Sequence, residues 1–147
     1  MHWKKYLQTF SRSSFTSKQV HTAIMREVTT LEEFQAILKE EAGDKLVVVD
    51  FKAKCCCHCQ MIGPKFEKME KTFADEKKEV IFLKVDVTEG AKIIEEYPVR
   101  AIPTFMFFKD AKKVDELVSS NEKKLLKKLI ALSSSSPTDQ CTHTQTH

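Results

Sequence analysis

Four of the five cysteines in the chain lie within five consecutive residues, which read Cys55-Cys56-Cys57-His58-Cys59. Within this run Cys56 and Cys59 have the Cys-x-x-Cys spacing that is typical of a redox-active dithiol. A thiolate can attack a disulfide, and thiolate and imidazole groups are also ligands of zinc and of iron–sulfur clusters. The residue types and their spacing therefore predict sulfur chemistry, with disulfide exchange and metal binding as alternatives.

The cysteine run lies between a predicted strand and a predicted helix. The preceding stretch 46–51 is apolar except for Asp50, a pattern typical of a fully buried strand. The residues after the run carry apolar side chains at helical spacing, namely Ile62, Phe66, Met69 and Phe73. A helix that begins at the run places the Cys56 sulfur against free backbone N–H groups, which favour a thiolate over a thiol.

The metal alternative lacks a second set of ligands. Structural zinc normally takes two separated pairs of ligands, and the remaining cysteine, Cys141, is isolated in a Ser/Thr-rich stretch. Five consecutive residues at a helix start cannot all converge on one tetrahedral ion. The sequence therefore predicts neither a metal site nor a cofactor, and it leaves a cluster shared between two chains as the alternative.

The length and composition favour one globular domain in a reducing compartment. The 147 residues are 41% hydrophobic and 31% charged, and the net charge of +3 is too small and too dispersed to predict nucleic-acid binding. No apolar stretch approaches the roughly 18–20 residues of a membrane span. Clustered cysteines do not form the spread disulfide framework of a secreted protein, so we expect a reducing compartment, in the first place the cytoplasm. We also expect a monomer.

Both ends of the chain differ from its centre. Residues 1–24 contain several basic and hydroxyl side chains and no acidic one, which resembles a mitochondrial transit peptide; an unstructured extension is the alternative. A transit peptide would make the location mitochondrial rather than cytoplasmic. Residues 133–147 are rich in Ser and Thr and are predicted to be disordered. The folded domain is predicted to span 25–132.

Predicted strands and helices alternate through this central part. Thr30 and Glu33 form a candidate capping box for a helix that ends at Gly43. Further elements are predicted as strands over 24–28 and 80–87, a short helix over 91–97, a hairpin from 104–108 and 114–118, and a last amphipathic helix. This order predicts an α/β fold, with a central mixed sheet flanked by helices on both faces.

The chain resembles the thioredoxin family, in particular its animal cytosolic members. The resemblance covers about residues 25–132, and it rests on five fragments in a fixed order. They are Ala42-Gly43-Asp44-Lys45 with the strand after it, Cys56-x-x-Cys59, Met61-Ile62-Gly63-Pro64, Phe82-Leu83-Lys84-Val85-Asp86-Val87 and Ile102-Pro103-Thr104-Phe105. The resemblance implies a thioredoxin fold and a protein-disulfide oxidoreductase.

The resemblance also implies roles for individual residues. Cys56 would attack a substrate disulfide, and Cys59 would resolve the mixed disulfide, which leaves a redox-active Cys56–Cys59 disulfide. Asp50 matches the family's buried carboxylate, which takes the proton of the resolving cysteine. Ile102 and Pro103 match the substrate-binding segment, in which the family's proline is cis. Protein disulfides would be the substrates, and thioredoxin reductase the electron donor.

The motif itself departs from the family's usual Trp-Cys-Gly-Pro-Cys. Cys55 replaces the tryptophan, and Cys57-His58 replaces Gly-Pro. A cationic His58 would stabilise the Cys56 thiolate and make the couple more oxidising, from about −270 mV for thioredoxin toward about −180 mV. Cys55 and Cys57 either compete for the mixed disulfide or are bystanders, Cys55 as a small apolar filler and Cys57 as an exposed thiol.

Other departures concern the scaffold. Ala111, Asp115 and Ser119 stand where the family commonly has glycine, and a turn that requires positive φ tolerates alanine poorly. About four additional residues in 73–80 are expected to form a longer loop. These changes leave two functions open, which are a disulfide oxidoreductase with an altered potential and a binding module that has lost redox turnover.

Overall fold

The computed structural model describes residues 25–134, so the predictions for 1–24 and 135–147 lie outside the described residues. The strands are β1 Arg26–Glu27, β2 Leu46–Lys52, β3 Val80–Asp86, β4 Thr104–Lys109 and β5 Lys112–Val118. The helices are α1 Leu31–Ala36, α2 Cys57–Asp75, α3 Ala91–Glu96 and α4 Glu122–Ser134. Helix α1 continues as a π-helical turn over Ile37–Glu41. Helix α4 extends two residues into the segment predicted to be disordered.

The five strands form one mixed sheet in the order β1-β3-β2-β4-β5. The central strand β2 is parallel to β3 and antiparallel to β4. One face packs against α1 and α3, and the other packs against α2 and α4. Strand β2 contributes alternate residues to both cores, which is why its sequence is a continuous apolar run. The predicted α/β fold with helices on both faces is confirmed.

The ends of the helices follow from local hydrogen bonding. The Thr30 side chain caps α1 by accepting a hydrogen bond from the backbone N–H of Glu33 (3.2 Å). Helix α2 ends in a Schellman motif, because Lys77 has φ +58° and the N–H of Lys78 bonds the carbonyl of Phe73. The expected longer loop in 73–80 is therefore wrong. Residues 73–75 belong to α2 instead, 76–78 form its cap, and 76–79 are all that separates α2 from β3.

The hairpin between β4 and β5 turns on two residues with left-handed backbone. Asp110 has φ +53° and Ala111 has φ +64°, which is the pattern of a type I′ turn. Asparagine and glycine tolerate this region, whereas a β-carbon makes it costly. The expectation that Ala111 occupies a positive-φ position is confirmed.

We expect Ala111→Gly to raise the free energy of unfolding by about 0.5–1 kcal/mol, because relief of the left-handed alanine outweighs the lost methyl contact with the core. Urea denaturation of the two proteins measures the difference. Ala74→Gly is the matched control, since Ala74 is exposed in α2 and the same change should cost about 1 kcal/mol there. A loss of stability in both variants would contradict the assignment of strain to the turn.

Candidate active site

Cys56 lies immediately before the first residue of α2 and caps that helix with its own sulfur. Its backbone is extended (φ −94°, ψ 114°), and its Sγ accepts a hydrogen bond from the backbone N–H of Cys59 (3.1 Å). A helix N-terminus carries partial positive charge from unpaired N–H groups, so it stabilises a thiolate at this position. The predicted placement of the Cys56 sulfur at the helix start is confirmed.

Cys56 and Cys59 form a disulfide, with their Cα atoms 5.2 Å apart. The two sulfurs differ in access, because Cys56 is half-buried whereas only 4% of Cys59 is exposed. Cys59 begins the buried stripe of α2, which continues through Ile62 and Phe66. Cys56 is therefore the more accessible cysteine of the pair.

The turn that carries Cys56 is fixed by contacts on both sides. The Cys56 N–H donates to the carbonyl of Ala53 (3.3 Å), and the Gln60 side chain donates to the carbonyl of Lys54 (2.8 Å). The Lys54 ammonium pairs with Glu89, in the turn after β3, at 3.2 Å. These bonds connect the end of β2, the turn and the first turn of α2, so the reactive sulfur has a defined position.

The three unusual residues of the motif are all exposed. Cys55 and Cys57 are free thiols, and His58 is the second residue of α2. The view of Cys55 as an apolar filler is wrong, because it lines an open cleft of about 370 Å³ together with Thr88 and Glu89. That His58 makes the couple more oxidising stays a prediction.

The predicted substrate-binding segment lies at the end of the sheet from which the cysteine turn departs. The Ile102–Pro103 peptide bond is cis, as the resemblance implies. The following residue, Thr104, pairs with Phe51 near the end of β2, from which the cysteine turn departs. Pro103 is buried and Ile102 is partly exposed. The fold thus brings these two residues to the same end of the sheet as the turn that carries Cys56.

Asp50 is buried on the face of the sheet that α2 covers. Only 2% of the residue is exposed, and within residues 25–134 its Oδ1 atom has no hydrogen-bond partner. Burial raises the pKa of Asp50 to about 7, and the nearby cations Lys52 and Lys84 partly oppose this rise. A carboxyl group that titrates near neutrality is suited to accept and release a proton there.

Charged neighbours of Asp50 were missed by the sequence analysis. Lys84 is the residue opposite Asp50 on β3, and it pairs with Glu67 of α2 at 3.2 Å. The alternation of β3 indicates part of this arrangement, because it places Lys84 on the opposite face of the strand from Leu83 and Val85. The strand register that brings Lys84 beside Asp50 could not be read from the sequence.

No group of three or more His, Cys, Asp or Glu side chains within residues 25–134 is arranged to hold a metal ion. None of the helices in this part of the chain has both the length and the apolar character needed to cross a membrane.

Comparison with known proteins gives a consistent match. The thioredoxin family model matches residues 25–132. A thioredoxin of Ictalurus punctatus is 44% identical over 102 residues, which are 69% of this chain and 92% of that protein. The crystal structure of Malassezia sympodialis thioredoxin superimposes with a TM-score of 0.69 at 38% identity, covering 76% of this chain and 93% of that one.

A third match is to a chain from the crystal structure of a complex between ferredoxin:thioredoxin reductase and thioredoxin f2. It has a TM-score of 0.69 and 29% identity, and it covers 78% of this chain and all of that chain. The fold, the dithiol at the start of α2 and these similarities agree. The chain therefore belongs to the thioredoxin family of protein-disulfide oxidoreductases.

Proposed function

We propose that the chain reduces protein disulfides through Cys56 and Cys59. The Cys56 thiolate attacks one sulfur of a substrate disulfide, forms a mixed disulfide with it and releases the other sulfur as a thiolate. The Cys59 thiolate then attacks the Cys56 sulfur and releases the second substrate thiolate. Two electrons pass to the substrate, and the Cys56–Cys59 disulfide remains. The observation that carries the proposal is this disulfide at the N-terminus of α2.

The proton of the Cys59 thiol needs an acceptor before Cys59 can attack. We assign this role to Asp50, because it is buried on the face of the sheet that α2 covers with the apolar stripe beginning at Cys59. A pKa raised by burial to about 7 allows the carboxylate to take up a proton near neutral pH. Ile102 and Pro103 are proposed to receive the substrate backbone beside Cys56.

The reaction requires a partner that returns electrons to the disulfide. A thioredoxin reductase is the proposed donor, and the similarity to a chain solved in a complex of ferredoxin:thioredoxin reductase with thioredoxin f2 supports this class of partner. The clustered, exposed thiols Cys55 and Cys57 favour a reducing compartment. We propose the cytoplasm, with the mitochondrion as the alternative if residues 1–24 act as a transit peptide.

A turnover assay with insulin and dithiothreitol tests the proposal. The full chain is expected to accelerate insulin reduction over dithiothreitol alone, and Cys56→Ser should fall to the rate of dithiothreitol, because a hydroxyl is not a competent nucleophile here. Cys57→Ser is the control for loss of an exposed thiol. Equal rates for the wild type and Cys56→Ser would favour the second candidate, a binding module without turnover. The observation behind this candidate is the altered motif, in which Cys55 and Cys57-His58 replace the family's usual residues.

A further inference from the structure

The face of the sheet around Asp50 carries an arrangement of charge that dithiol exchange does not itself require. Two lysines flank Asp50, Lys52 on its own strand and Lys84 at the register position opposite on β3. Position 105 on the other neighbouring strand is phenylalanine, which adds no charge. Two cations therefore lie beside one buried carboxyl group, a situation that normally produces a direct ion pair.

Each of these lysines is paired with other carboxylates instead. Lys52 lies 3.6 Å from Glu27 and 3.8 Å from Asp86. Lys84 lies 3.2 Å from the Glu67 carboxylate. Among residues 25–134 no ammonium lies within 4 Å of Asp50, and its Oδ1 atom lacks a hydrogen bond.

Glu67 reaches this site from the helix that carries the dithiol. It lies on α2 two turns beyond Cys59, and half of its side chain is exposed, whereas the Lys84 side chain is 24% exposed. The carboxylate of Glu67 thus draws the Lys84 ammonium toward the outer side of the helix–sheet interface. Two other carboxylates lie near Lys84: Asp50 at the opposite strand position, and the half-buried Glu70 of α2, whose Oε1 atom has no hydrogen-bond partner among residues 25–134.

We propose that Glu67 is a positioning residue for proton transfer: it holds the Lys84 ammonium away from Asp50 and so leaves Asp50 free to accept the Cys59 proton. This inference rests on the proposed function. If Lys84 paired with Asp50 directly, the carboxylate would be stabilised and would be a weaker base toward a buried thiol. Glu67 also repels the ionised form of Asp50 and acts in the same direction.

The test follows the ionisation of Asp50 directly, without turnover. Carbon-13 NMR of the Asp50 carboxyl carbon over pH 4–10 gives its titration midpoint in the full-length protein. Glu67→Gln is expected to lower the midpoint by at least about 0.5 pH unit, because Lys84 is released toward Asp50. Lys84→Met is expected to raise the midpoint by about 0.5 pH unit or more, because methionine removes the cation and keeps a similar apolar side chain.

Glu122→Gln is the matched control. It removes the Lys65–Glu122 ion pair, which also has a separation of 3.2 Å and also involves α2, and it should leave the midpoint of Asp50 unchanged. Loss of the direct repulsion by Glu67 would also lower the midpoint, so Glu67→Gln is measured in the Lys84→Met background as well. A shift from Glu67→Gln that is clearly smaller without Lys84 than with it supports the inference, whereas equal shifts in both backgrounds, or a shift below 0.2 pH unit in the wild-type background, overturn it. The proposed function is tested separately by the insulin assay. It fails if the wild type does not reduce insulin, whatever titration midpoint NMR gives for Asp50.

Discussion

Cys59→Ser is expected to leave the protein joined to its substrate by a mixed disulfide at Cys56. In the wild type Cys59 is held one helical turn from Cys56, and its backbone N–H already contacts the Cys56 sulfur. Intramolecular groups held in this way react at effective concentrations of about 10⁵ M or more. With about 1 mM dithiothreitol as the external thiol in place of Cys59, release of substrate should therefore slow by at least about 10³-fold.

Mass spectrometry of insulin reactions quenched with acid measures this adduct. The neighbouring thiols make the measurement specific to this chain, because Cys55 and Cys57 are exposed and lie beside the same sulfur. A ring closed between adjacent cysteines requires distorted geometry, so neither neighbour should replace Cys59. Cys55→Ser and Cys57→Ser, each in an otherwise wild-type chain, serve as controls without an adduct. Substrate release from Cys59→Ser at the wild-type rate would show that a neighbouring cysteine resolves the intermediate.

Asp50→Asn is expected to stabilise the protein at neutral and alkaline pH. The pKa of Asp50 is about 7 in the folded chain because of burial, compared with an ordinary value of 3.8. Between these two pH values the unfolded chain loses the proton while the folded chain keeps it, so stability falls as pH rises through this window. The full penalty, about 4 kcal/mol, is present above pH 7. Asparagine has no proton to lose and avoids it.

Urea denaturation at pH 5 and pH 8 measures this effect. The advantage of Asp50→Asn over the wild type should grow from about 2 kcal/mol at pH 5 to about 4 kcal/mol at pH 8. Asp44→Asn provides the control, since Asp44 is exposed and its replacement should give the same difference at both pH values. An advantage of Asp50→Asn that does not change with pH would mean that the carboxyl group is ionised throughout. Its assigned part in proton transfer would then fail.

The fold and the reactive pair could be predicted because short-range patterns determine them. The apolar run before the cysteines, the helical spacing after them and the alternation over 80–87 specify elements whose order admits few architectures. The position of the Cys56 sulfur follows from the element boundary alone. The positive φ at Ala111 was predictable only from the family resemblance, because the family commonly has glycine in this turn. The two-residue length of the turn was not predicted, since the strands predicted over 104–108 and 114–118 left five residues between them.

Features that depend on register or on contacts between distant residues could not be predicted. The sequence predicts a longer loop in 73–80, because nothing in it reveals that Lys77 adopts positive φ and closes a Schellman cap. Exposure of Cys55 likewise depends on how the turn meets the loop after β3. The pairing of Lys84 with Glu67 joins residues 17 positions apart, and it exists because β3 and α2 meet there.

The Cys56 sulfur has two roles, because it is the proposed nucleophile and also the atom that caps α2. Serine is among the preferred caps of helices, whereas alanine cannot accept the hydrogen bond from the Cys59 N–H and typically costs about 1 kcal/mol. A serine replacement therefore removes the nucleophile and keeps the anchor of the helix, while an alanine replacement removes both. This double role limits which residues can replace Cys56. A replacement that removes the reactive sulfur keeps the helix start intact only if its own side chain caps α2.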